Sequence, residues 1–153
     1  MVTTEHPELV NAVALVSSQA TEVPVGIAQA PFVVCDPTRP VNERLAVPQE
    51  VFFAPGNDVR VWLDRWYPET RAMQRGAIGT VPLQEHWTCG LVPLLEVTPE
   101  HDALRPRRYW QEMQDDFGGR VTTVMVAGAG HALFPSSRKL RPKGSFFGCG
   151  DFR

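Results

Sequence analysis

Two stretches in the second half of the chain carry side chains that could do acid–base chemistry. Leu94-Leu95-Glu96-Val97-Thr98-Pro99-Glu100-His101-Asp102 reads as a buried strand running into a loop that ends in a carboxylate. Val121-Thr122-Thr123-Val124-Met125-Val126-Ala127-Gly128-Ala129-Gly130-His131 reads as a second strand running into a glycine-rich turn that ends in an imidazole. An imidazole accepts and returns protons near neutral pH, and a carboxylate hydrogen-bonded to it fixes its tautomer. Asp102 and His131 therefore have the chemistry of two members of a nucleophile–histidine–acid triad. The third member is expected ahead of them on a sharp strand-to-helix turn, for which the chain begins too late.

Each residue also has a plainer reading. Taken alone, His131 is a loop histidine without a partner and Asp102 a solvated loop acid, with Glu100 two residues away as its competitor. Gly128 and Gly130 allow a tight backbone path beside the histidine. Phe52, Phe53, Trp62, Trp66 and Tyr67 would line a substrate pocket or fill a small helical core; Trp87 and Trp110 read as core. Cys35 and Cys89 lie on no strand-to-helix elbow, and a thiol nucleophile needs an adjacent base and a lowered pKa. Ser17 and Ser18 end a strand without flanking glycines.

The elements that must position the pair follow from hydrophobic pattern. Thr4 to Val10 reads as a helix end, and Ala12-Val13-Ala14-Leu15-Val16 as a short strand covered on both faces. Residues 21–90 are broken by recurrent prolines into helical pieces, 42–53 and 59–75, the latter capped by Asn57-Asp58. From Pro93 a strand at 94–98, a helix at about 106–116, a Gly118-Gly119 stop and a strand at 121–126 follow. Asp102 and His131 are 29 residues apart, one β–α–β step. Such crossovers are right-handed, so both loops reach one edge of a parallel sheet, where sites form in α/β folds. The fold class is α/β: a mostly parallel sheet of about three strands with a helical insertion. The core comprises 1–20 and 91–135, the insertion 21–90, and 136–153 forms a disordered basic tail, with five basic residues against one acid.

Bulk composition narrows the remaining classes. A net charge of −2 gives no reason to expect nucleic acid as a partner. No apolar run reaches the ~20 residues of a membrane span, and the first residues lack a signal-peptide core. Cys35, Cys89 and Cys149 lack metal-ligand spacing and read as unpaired thiols of a cytoplasmic protein; no metal or cofactor is expected.

In order and spacing, residues 5–135 resemble the C-terminal half of an α/β-hydrolase. His6-Pro7-Glu8-Leu9-Val10 with its apolar strand is similar to the segment behind the family's nucleophile, and Phe52-Phe53-Ala54-Pro55-Gly56-Asn57-Asp58 to a helical cap. Pro99-Glu100-His101-Asp102-Ala103-Leu104-Arg105-Pro106 resembles the acid loop, and Gly128-Ala129-Gly130-His131-Ala132-Leu133-Phe134-Pro135 the histidine loop. The resemblance implies a partial doubly wound, mostly parallel sheet with residues 21–90 as a helical cap insertion. It implies hydrolysis of an ester or related bond by a nucleophile, His131 and Asp102, with a small-molecule substrate held near Phe52, Trp62 and Trp66. The family places its nucleophile in Gly-x-Ser-x-Gly. No window of this sequence fits; between Gly144 and Gly148 the central position is Phe146. The oxyanion-hole segment has no counterpart either, and the basic stretch from Ser136 replaces the family's closing helix, as a shifted reading frame would. The expectation is therefore a half-site, inactive alone, that is a non-enzymatic fragment, a ligand- or partner-binding module, or a half completed in trans by an N-terminal half. A raw sheet edge would favour self-association.

Overall fold

The computed structural model describes residues 2–18, 21–23, 25–63, 67–77, 80–82 and 87–133. The basic segment 136–153 and Trp66 lie outside them. Three strands form one sheet in the order β1-β2-β3, all parallel: β1 (Val13–Val16), β2 (Leu94–His101) and β3 (Val121–Gly130). Short apolar runs such as Val13-Ala14-Leu15-Val16 and Leu94-Leu95 favour a parallel sheet, but β1 is not covered on both faces as its run suggests: its residues alternate between half-buried and exposed.

Between β1 and β2 the chain is helical. It forms α1 (Val25–Ala28), α2 (Ala30–Cys35), α3 (Val41–Val51) and, after a 3₁₀ turn at Val59–Trp62, α4 (Pro68–Ala77). The single helix expected over 59–75 is interrupted. Pro68 has no N–H to donate and disfavours helical geometry in the residue before it, so a new helix starts there. Asp58 does cap the 3₁₀ turn, its carboxylate accepting the Arg60 N–H at 3.0 Å. Between β2 and β3 the expected helix is split into a 3₁₀ turn at Arg107–Tyr109 and α5 (Glu112–Phe117), ended by Gly118 at φ +57°.

Both site-bearing strands run further than their pattern suggests. Pro99, which reads as the start of a loop, is buried within β2 opposite Val126. Lacking an N–H it cannot extend the ladder, and pairing resumes after a register shift at His101 opposite Gly130. The parallel ladder thereby holds the two strand ends side by side up to the residues that follow them.

One face of the sheet is covered. Leu94 and Val121 pack with Met113 of α5, Cys89, Val13, Leu15, Trp87 and Phe117. On the same face Glu96, in the middle of an apolar strand, meets Arg105 with 2.5 Å between Oε1 and Nη2, and both side chains are 1% exposed. Thr123 donates to Glu96 at 3.2 Å, and Arg105 reaches Glu112 of α5 at 3.4 Å. Burial pushes the Glu96 carboxyl above its ordinary range, and the Arg105 charge opposes that push. This buried pair ties the loop after β2 to the sheet and to α5. The opposite face carries Val16 and Val124, 40% and 46% exposed. Among the described residues no helix is long and apolar enough to cross a membrane.

Candidate functional site

β2 ends at His101 and β3 at Gly130, so Asp102 and His131 leave neighbouring parallel strands at the same edge. They meet. Nδ1 of His131 lies 2.9 Å from Oδ2 and 3.2 Å from Oδ1 of Asp102. Oδ1 also accepts the backbone N–H of Leu104 at 2.9 Å, and the Asp102 carbonyl accepts that of Arg105 at 3.2 Å. The carboxylate is thus oriented by its own turn before the histidine reaches it. Its side chain is fully buried while that of His131 is 23% exposed, so the pair interacts in a low dielectric with the imidazole still accessible. A carboxylate on Nδ1 selects the tautomer that leaves Nε2 with its lone pair, the form of a general base. Glu100 is engaged elsewhere, accepting the Gly128 N–H at 2.8 Å with His101 at 3.8 Å.

The helical segment grips the histidine directly. A Cβ on Gly130 would fall 2.6 Å from the Phe52 carbonyl oxygen and from the Ala54 nitrogen. The same Phe52 carbonyl accepts the Ala132 N–H at 2.8 Å. Glycine at 130 is therefore a requirement of close backbone approach rather than of unusual dihedrals. Gly130→Ala is expected to force the two segments apart at a cost of about 1–3 kcal/mol. Gly128→Ala, in open space at φ +67°, costs about 1 kcal/mol. Urea denaturation of both variants distinguishes the two mechanisms.

Phe52, expected near a substrate, stands beside His131, and Trp62, expected there too, stands beside Phe52. The Phe52 ring lies 5.6 Å from the His131 ring and 5.5 Å from Trp62. With Tyr67, Phe32 and Leu104 they line a cavity of about 870 Å³ that reaches His131. Phe53 takes another place: it stacks edge-on against Trp62 at 4.9 Å and lines a separate cavity of about 610 Å³ behind Asp102. Arg71 and Arg75 of α4 also line the larger cavity. Sequence reasoning passed over them, although their four-residue spacing puts two like charges on one helix face.

The residues weighed as nucleophiles stay apart from this arrangement. Burial pushes the thiols of Cys35 and Cys89 upward, the reverse of activation, despite the opposing charges of Arg71 and Arg44 on the first and Arg120 on the second. Ser17 is strained at φ +52° at the end of β1, yet neither Ser17 nor Ser18 lines the cavity of His131. Among the described residues no three of His, Cys, Asp and Glu converge as a metal would require.

No family model and no curated protein matches the chain. By structure it is similar to carboxylesterase CesB (YbfK) from Bacillus subtilis, with a TM-score of 0.60 and 18% identity over 88% of this chain and 49% of that one. The fold is that of the α/β-hydrolases. Similar too are a thermophilic esterase, TM-score 0.57 at 20% identity over 86% of this chain and 52% of that one, and BpoC from Mycobacterium tuberculosis H37Rv, TM-score 0.59 at 19% identity over 87% and 55%. The chain spans about half the length of each. Within this α/β-hydrolase fold, Asp102 and His131 occupy the loops after the second and third of its parallel strands, and α1 to α4 lie between the first and the second.

Proposed function

We propose that this chain carries the acid–base half of a hydrolase site. Asp102 is the orienting acid, His131 the general base, and Phe52 and Trp62 form the wall of a pocket for a small acyl or ester substrate under a cap made by the helical segment. The observation that carries this reading is the buried Asp102 carboxylate on Nδ1 of a partly exposed His131 beside an apolar cavity. In this reading neither side chain is the nucleophile, and the 153 residues contain no Gly-x-Ser-x-Gly. The nucleophile and the oxyanion donors would come from a separate strand-turn-helix segment, which the outer edge of β1 can accept as a further parallel strand. The free, buried thiols of Cys35 and Cys89 suit a cytoplasmic setting.

The test is 4-nitrophenyl acetate and butyrate hydrolysis by the chain alone and after co-expression with the N-terminal half of a structurally similar esterase. The chain alone is expected to show no more than the slow ester cleavage of a free imidazole, because its 153 residues contain no Gly-x-Ser-x-Gly. The co-expressed pair is expected to turn over, and to stop doing so in His131→Ala. Turnover that survives His131→Ala would sink the assignment. A second reading, a ligand-binding module without chemistry, rests on the missing nucleophile and the intact cavity; it predicts ester binding without turnover in either setting.

A further inference from the structure

The cavity beside His131 has an uneven electrostatic lining. Among the described residues, its lining includes two arginines, Arg71 and Arg75, and no aspartate or glutamate. Both guanidinium groups lie over the same Phe32 ring, at 5.0 and 4.5 Å from its centroid. The ring attracts each cation, yet sharing it brings two like charges together on one wall. Among the described residues neither makes an ion pair, and Nε of Arg71 is buried without a hydrogen-bond partner. Arg44 nearby shows the ordinary arrangement: Nε donates to the Val34 carbonyl at 3.0 Å and Nη2 to that of Leu63 at 3.3 Å. A buried donor left unpaired beside a second unneutralised cation is a costly arrangement that a bound anion would relieve.

We infer that Arg71 and Arg75 form an oxyanion-binding subsite, so that the preferred ligand couples an ester or other acyl group at His131 to a carboxylate or phosphate held by the two guanidiniums. This rests on the hydrolase reading for the acyl end only; the anionic end follows from the cavity's own lining. Guanidinium groups suit such a partner because their planar N–H donors match carboxylate and phosphate oxygens in pairs. Phe32, stacked under both, holds them in place and lowers the entropy lost on binding.

Binding to the full chain tests this without any turnover. The probes are monomethyl adipate, an ester with a carboxylate, its neutral counterpart dimethyl adipate, and 4-acetoxybutyl phosphate. Binding is followed by NMR at the Arg71 Nε–H and the His131 imidazole. The monoester is expected to bind at least about tenfold tighter than the diester, moving both resonances. That preference is expected to shrink as salt is raised and to vanish in Arg71→Gln/Arg75→Gln, which should bind the monoester and the diester alike. The exposed Arg75→Gln alone, which leaves the fold undisturbed, is expected to lose part of it. The carboxylate and phosphate probes, compared with each other, identify the anion the subsite takes. Equal affinity for charged and neutral esters, indifferent to salt and to both variants, overturns the anionic subsite while leaving the hydrolase reading intact. Failure of every probe to move the His131 resonance overturns both.

Discussion

Arg105→Met is expected to destabilise the protein by about 3–5 kcal/mol, because it leaves Glu96 charged, buried and unpaired beneath the sheet. A loss of that size approaches the whole stability of many domains. The effect should depend on pH in a defined direction. Burial already raises the Glu96 pKa above its reference value of 4.5, and Arg105 is the main influence holding it down. Removing that charge raises the folded-state value further, while the unfolded value stays put. The folded variant then holds a proton that the unfolded chain has released, so its stability falls as pH rises from 4.5 through the raised folded-state pKa. Urea denaturation near pH 4.5 and at about pH 8 should show a clearly larger deficit at the higher value. Arg105→Met combined with Glu96→Gln should recover most of the loss, because the fully buried carboxylate is gone and only the partly exposed Glu112 loses its Arg105 partner. A deficit independent of pH and unrelieved by the second change would mean that Arg105 acts through packing alone.

Asp102→Asn in a complex that supplies the nucleophile is expected to lower kcat by about 10⁴-fold. The amide has nearly the volume of the acid and keeps an oxygen to accept the Leu104 N–H, but its NH₂ favours the opposite tautomer of His131 and places a proton on Nε2. The imidazole can then no longer accept a proton from an attacking group. Glu100→Gln, two residues from Asp102 yet bonded to Gly128, should leave kcat within about threefold. Steady-state kinetics at saturating 4-nitrophenyl butyrate, with KM measured in parallel, separates loss of the base from loss of binding. Equal effects of the two substitutions would remove Asp102 from the role proposed for it.

What could be read from the sequence and what could not divide along physical lines. The three strands announce themselves by short apolar runs, Val13 to Val16, Leu94-Leu95 and Val124 to Val126, and the residues that end them are then placed by topology. Asp102 could be preferred to Glu100 from its neighbours, but that Glu100 bonds Gly128 could not, since that contact depends on the register of two strands 28 residues apart. The extension of β2 past Pro99 was hidden because proline signals a loop, while the register shift that tolerates it is a property of the paired strand. The break at Pro68 was legible in principle; proline states it outright, and the apolar residues around it outweighed it. Glu96 carried a signal of a different kind. A lone charge inside a buried strand demands a partner, yet nothing local names Arg105 as that partner. Gly130 is the hardest case: the need for glycine comes from a segment more than seventy residues away, whose backbone crosses where a side chain would be.

That crossing has a mechanical consequence. Phe52 touches the cavity and the Trp62 ring through its own ring, and the strand end through its carbonyl. A molecule that presses on Trp62 therefore presses on the backbone to which the imidazole is fastened. Filling of the cavity and the aim of Nε2 move as a single lever.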